Sequence, residues 1–113
     1  MDAQFYTYRV FWSEEDEEFV GLCAECTGLS WLDENQQTAF SGIIDLVQTC
    51  INDLEANNES PPTPLSKKQY SGKFMVRIPP EQHRELAIQA AEQGVSLNRL
   101  ASKKLSASPE AGY

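Results

Sequence analysis

Basic residues are almost missing from the first half of this 113-residue chain: residues 1–60 hold Arg9 alone, against thirteen Asp and Glu. Such a surface repels phosphate, so that half is a poor nucleic-acid binder. Long apolar runs are missing too. None reaches the roughly 18 residues that span a bilayer, and no basic stretch with an apolar core opens the chain as a secretory leader would. Cysteine is scarce and odd in number, three residues, which excludes a disulfide framework and fits a reducing cytoplasm. His83 is the single histidine. It stands beside Gln82 and Arg84 with no nucleophile near it in sequence, which argues against acid–base catalysis. No glycine loop has the pattern of a phosphate cradle. We expect no cofactor, no metal and no enzymatic activity.

Two cysteines, Cys23 and Cys26, have the spacing of a zinc or redox half-site. A structural zinc site needs four ligands, and only Cys50 and His83 remain. A thiol–disulfide pair usually opens a helix, whereas this one ends a strand. The acidic run of residues 14–18 lacks the alternate ligands and central glycine of a calcium loop, and it reads as a solvated hairpin tip.

What is present divides the chain. Residues 61–113 carry eight bases against four acids, the reverse of the first half. Such asymmetry points to nucleic acid on the basic side and another partner on the acidic side. Three prolines and polar residues between the halves predict a partly extended linker. The expected division is 1–58, a linker at 59–71, and 72–113.

In the first part, residues 4–13 read as a strand. Residues 18–24 form a second and 28–32 a short third, by their aromatic and β-branched content. Asp33 is the expected N-cap of a helix of about 20 residues, with Gln36 completing a capping box. Phe40, Ile43, Ile44, Val47, Cys50, Ile51 and Leu54 recur at helical spacing as its apolar face, and Gln48 falls on the wet face. The order predicts one helix on a small antiparallel sheet, an α+β layer. Its size is marginal for an independent core, which favours self-association or a partner.

The second part begins with Lys73-Phe74-Met75-Val76-Arg77-Ile78-Pro79. Phe74, Val76 and Ile78 alternate with Lys73, Met75 and Arg77, the signal of a half-buried strand. No second strand lies near it in sequence, and Pro79-Pro80 stops it. Its expected partner is the same strand of a second chain about a two-fold axis. Phe74, Val76 and Ile78 would then form the dimer core, and Lys73, Met75 and Arg77 would project from a ribbon that fits the major groove of DNA. The competing reading is an edge strand with solvated Lys and Arg. Pro80 and Glu81 suit a helix start. Leu86, Ala87, Ala90 and Ala91 give it an apolar stripe, and Gly94 ends it. Ser96 caps a second helix that buries Leu97, Leu100, Ala101 and Leu105.

These residues, about 72–106, resemble the ribbon–helix–helix family of dimeric DNA-binding repressors. The resemblance implies base contacts from Lys73, Met75 and Arg77, and phosphate contacts from Ser96, Leu97 and Asn98 with their backbone N–H groups. Met75 departs from the family's usual polar residue and offers only apolar contact. Residues 18–30, followed by a capped helix beginning near residues 39–43, resemble the N-terminal domain of HicB antitoxins, a reduced RNase H-like fold without catalytic residues. HicB proteins commonly join it to a DNA-binding domain. The combined resemblance implies a type II antitoxin that neutralises a small basic mRNA-cleaving HicA-like toxin and represses its own operon. It also implies a homodimer through the ribbon, extending to a tetramer if the N-terminal domains pair as well. The alternative is a stand-alone ribbon–helix–helix regulator whose N-terminal domain takes a small ligand or another protein. A residual nuclease would need inward carboxylates holding two metal ions, and the strands' interior positions are mostly apolar or aromatic.

Overall fold

The hairpin that opens the fold is built on alternation. Strand β1 (Tyr8–Ser13) pairs antiparallel with β2 (Glu18–Cys23), and β2 with β3 (Ser30–Asp33), in the order β1-β2-β3. The computed structural model describes residues 1–107. Over these the chain is α+β, with a small three-stranded antiparallel sheet and three helices. The acidic run forms the hairpin loop, where Glu17 takes a left-handed φ of 53° and the Ser13 hydroxyl donates to Asp16 at 2.9 Å.

Residues paired across an antiparallel ladder share a face. The register therefore puts Tyr8, Val10 and Trp12 on one side with Cys23, Gly21 and Phe19, continued by Trp31 and Asp33. Helix α1 (Gln36–Ala56) covers this side. Its Ala39, Ile43, Val47 and Ile51 are essentially without exposure, a stripe of one residue per turn. The helix approaches so closely at Gly21 that a Cβ there would sit 2.9 Å from both the Ala39 carbonyl oxygen and Ile43 Cγ2. Gly42 is likewise covered by the Trp31 ring.

Several local expectations change. The N-cap of α1 is Asn35, whose side chain accepts from the Thr38 N–H at 3.0 Å. Asp33 instead ends β3 and accepts from the Asn35 N–H. Phe40, expected in the buried stripe, is half exposed and meets the Tyr8 ring edge-on, because the stripe is centred on Ala39 over Gly21. Residues 3–5 form a 3₁₀ turn capped by Asp2 rather than the start of β1. Gln48, expected in water, accepts from the Ala3 N–H at 2.8 Å and donates to the Met1 carbonyl, which pins that turn to α1.

The chain divides into two compact units, the first Met1–Ser71 and the second beginning at Gly72. Much of the Pro-rich segment expected to be a linker lies on the first unit. Pro64 is buried, the Tyr6 hydroxyl donates to the Pro62 carbonyl, and the Ser66 hydroxyl donates to the Phe5 carbonyl at 2.6 Å. Prolines supply apolar surface and acceptors while carrying no N–H that would need a partner.

In the second unit, α2 (Pro80–Gln93) starts on Pro80 and ends at Gly94, whose φ of 70° suits glycine. Helix α3 (Leu97–Leu105) follows, with the Ser96 hydroxyl accepting from the Arg99 N–H at 3.0 Å. Ala90 of α2 and Leu100 of α3 are the second unit's buried apolar residues among those described.

Gly21→Ala should destabilise the first unit by about 1–3 kcal/mol, the usual cost of overpacking. Both tryptophans, Trp12 and Trp31, lie in this unit, so urea unfolding followed by tryptophan fluorescence reads it selectively. An unchanged midpoint would contradict the close approach at Gly21.

Candidate functional site

Residues 73–79 carry the alternation described above, but among the described residues they form no ladder. A strand needs a partner for its backbone groups, and none of the described strands pairs with it. The two faces nonetheless separate. Phe74, Val76 and Ile78 line a groove of about 780 Å³ together with Leu86 of α2 and Leu97, Ala101 and Leu105 of α3. Met75 and Arg77 lie away from it and are exposed. Lys73 is exposed and is also among the residues that line the groove.

The groove is not closed. Phe74 is 76% exposed and Val76 59%, although these are apolar side chains that folding normally covers. Gln82 and His83, which sequence periodicity does not mark as special, also line it. Asn98 also lines it, whereas Ser96 does not. The Ser96 hydroxyl is occupied with capping α3, so what this position can offer an anion is the helix's N-terminal backbone N–H groups and dipole.

In the first unit, one carboxylate gathers three segments. Glu25 accepts from the Thr7 N–H at 2.9 Å, the Thr7 hydroxyl at 3.2 Å and the Leu65 N–H at 2.8 Å. Burial alone would raise its pKa, but the donated N–H groups of Leu65 and Thr7 prevail and hold it below the usual carboxylate range. In the sequence Glu25 is one acid among thirteen. Its partners lie 18 and 40 residues away, and no local pattern signals them.

Cys23 and Cys26 are free thiols. Burial pushes both upward, Cys26 to about 11 with the neighbouring Cys23 adding to the effect. Burial thus disfavours the thiolate form of both, the reactive form of cysteine. Among the described residues, no group of three or more His, Cys, Asp and Glu side chains is placed to hold a metal ion, and no helix is long and apolar enough to cross a membrane.

The HicB family model matches residues 55–105. The chain is HicB-like over that stretch, a little under half its length, which runs from the end of α1 through residues 73–79 to the end of α3. The N-terminal resemblance, on residues 18–43, lies outside it. No curated protein and no solved structure matches the chain.

Glu25 sets a pH dependence. With its folded pKa depressed, it contributes stability that is present above the unfolded value of about 4.3 and lost as pH falls through the folded value. Glu25→Gln should unfold at lower urea than the parent at pH 7, and the gap should narrow below about pH 4. A gap independent of pH would show that the carboxylate charge is not what holds residues 7, 25 and 65 together.

Proposed function

We propose that this protein is the antitoxin and autorepressor of a type II toxin–antitoxin pair and not an enzyme. The observation that carries the reading is the HicB family match over residues 55–105. In this reading the acidic first unit, RNase H-like but without catalytic residues, binds and blocks a small basic HicA-like ribonuclease. Complementary charge speeds that encounter and disfavours wrong partners. The second unit is a ribbon–helix–helix domain that binds operator DNA in the cytoplasm.

The open groove supports the second half of the reading. A unit of 42 residues, Gly72–Tyr113, whose described core is Ala90 and Leu100 is close to the lower size limit for a chain that folds alone, about 40 residues. Antiparallel pairing of residues 73–79 with the same residues of a second chain would satisfy the ladder. It would also bring Phe74, Val76 and Ile78 together over the two pairs of helices. Lys73, Met75 and Arg77 would then project twice from the ribbon toward base edges, with the α3 N-termini at residues 96–98 against flanking phosphates. The family match stops short of residues 1–54, and this favours as a second reading a regulator whose first unit binds a different protein or a small ligand.

Co-expression with the neighbouring small basic reading frame separates these readings. The antitoxin reading expects a neighbour that arrests growth alone, is harmless together with this chain, and co-purifies with it. A neighbour that neither harms cells nor binds would leave only the regulator. Independently, Arg77→Ala should weaken operator binding by about 1–3 kcal/mol, the value of a bidentate base contact, while leaving the toxin complex intact. Unchanged operator affinity in a mobility-shift titration would remove Arg77 from the base-reading face.

A further inference from the structure

The two edges of the sheet differ. The Thr7 carbonyl accepts from the Ala24 N–H at 2.9 Å and so faces β2. Backbone groups alternate along an antiparallel strand. Arg9 and Phe11 therefore face β2 as well, while Tyr8, Val10 and Trp12 turn their N–H and C=O groups outward. Among the described residues no strand pairs with that side. The shorter β3 turns only Ser30 and Leu32 outward by the same alternation. An edge of this kind is a template for a further strand unless proline, charge, a bulge or a cover blocks it. The Pro-rich segment is held to residues 5 and 6, just short of β1, and leaves 8–13 open. Arg9, the one charge within β1, lies against the Phe11 ring at 4.8 Å from its centroid. Exposed aromatic rings flank the opening on both faces, Phe40 and Trp12 on the α1 side and Phe11 on the other.

We propose that the outer edge of β1 receives an extended segment of a basic protein partner as a fourth strand. For the partner this rests on the antitoxin reading; it adds how the first unit holds that partner. Backbone pairing with Tyr8, Val10 and Trp12 supplies the attachment, and alternate side chains of the incoming segment supply selectivity. An apolar residue fits between Phe40 and Trp12. A Lys or Arg fits at the hairpin end, where the Glu14 carboxylate accepts from the Trp12 indole N–H at 2.9 Å and Glu15, Asp16 and Glu17 follow in the loop. The unit holds thirteen acids against Arg9, Lys67 and Lys68. None of these bases stands at the hairpin end. Arg9 lies on Phe11, and Lys67 lies 3.8 Å over the Phe5 ring, beyond the other end of β1.

Magnitude limits what the strand does alone. A segment matching β1 spans roughly 20 Å and buries less than the roughly 800 Å² per partner of a standard stable interface. The added strand therefore fixes the partner's register, and the acidic surface around it steers the approach.

The test is backbone amide hydrogen exchange, read by NMR on the full chain alone and in complex with the co-expressed basic neighbour. In the free chain the amides of Tyr8, Val10 and Trp12 exchange fast and those of Arg9 and Phe11 slowly. The proposal expects binding to slow the first three by roughly tenfold or more. Phe40→Lys replaces an apolar contact with a charge that repels a basic segment, and should weaken the complex by roughly tenfold or more. Ser30→Lys, the same charge on the opposite edge, should leave the affinity unchanged. Amides of Tyr8, Val10 and Trp12 that stay fast in the complex would overturn the proposal and leave the antitoxin reading standing. A neighbour that does not bind would overturn both. Protection that appears in the free chain and grows with its concentration would also overturn the proposal, since the edge would then belong to a second copy.

Discussion

Helix α1 can lie against the sheet only where the central strand has no side chain. Gly21 provides that place, with the Ala39 carbonyl and Ile43 filling the space a Cβ would need. The contact determines which helix residues are buried. Ala39, Ile43, Val47 and Ile51 follow at one per turn, and Phe40 is displaced to the margin against Tyr8. Interiors are packed to crystal density, so a helix seated this deeply leaves little freedom to its neighbours. The N-terminal turn is held by Gln48 of the same helix, and the first amine pairs with Glu55 at 3.0 Å.

A sheet covered on one side must still secure its ends. Glu25 does this for the segments entering β1 and leaving β2, and it extends the hold to residue 65. The Pro-rich stretch thereby becomes part of the first unit instead of a tether. Burial of Pro64 and hydrogen bonds from Tyr6 and Ser66 hold it in place. A net negative surface remains outside this framework, available for a basic partner.

The second unit obeys a different constraint. Its helices are capped and terminated by Ser96 and Gly94, so each is locally well specified, yet together they bury little. Phe74, Val76 and Ile78 face a groove that the unit itself leaves open. Apolar area left in water weighs against folding at about 25 cal/mol per Å². In the proposed reading, a second copy of residues 73–79 is the surface that makes this arrangement stable.

Features that depend on neighbours in sequence were legible from the residues alone. The three strands, the long amphipathic helix, the Gly94 stop, the Ser96 cap and the alternation of residues 73–79 are all written within windows of a few residues, because periodicity and capping are local physics. The register of β1 on β2, the choice of Asn35 over Asp33 as cap, the position of the buried stripe on Ala39, the gathering of Thr7 and Leu65 around Glu25, and the docking of Pro64 were not legible. Each depends on groups far apart in the chain whose meeting is decided by packing. Sequence by itself determined which segments become helix and strand and how charge divides between the halves. Tertiary structure alone decided which faces are left uncovered, because exposure depends on every other element in the unit.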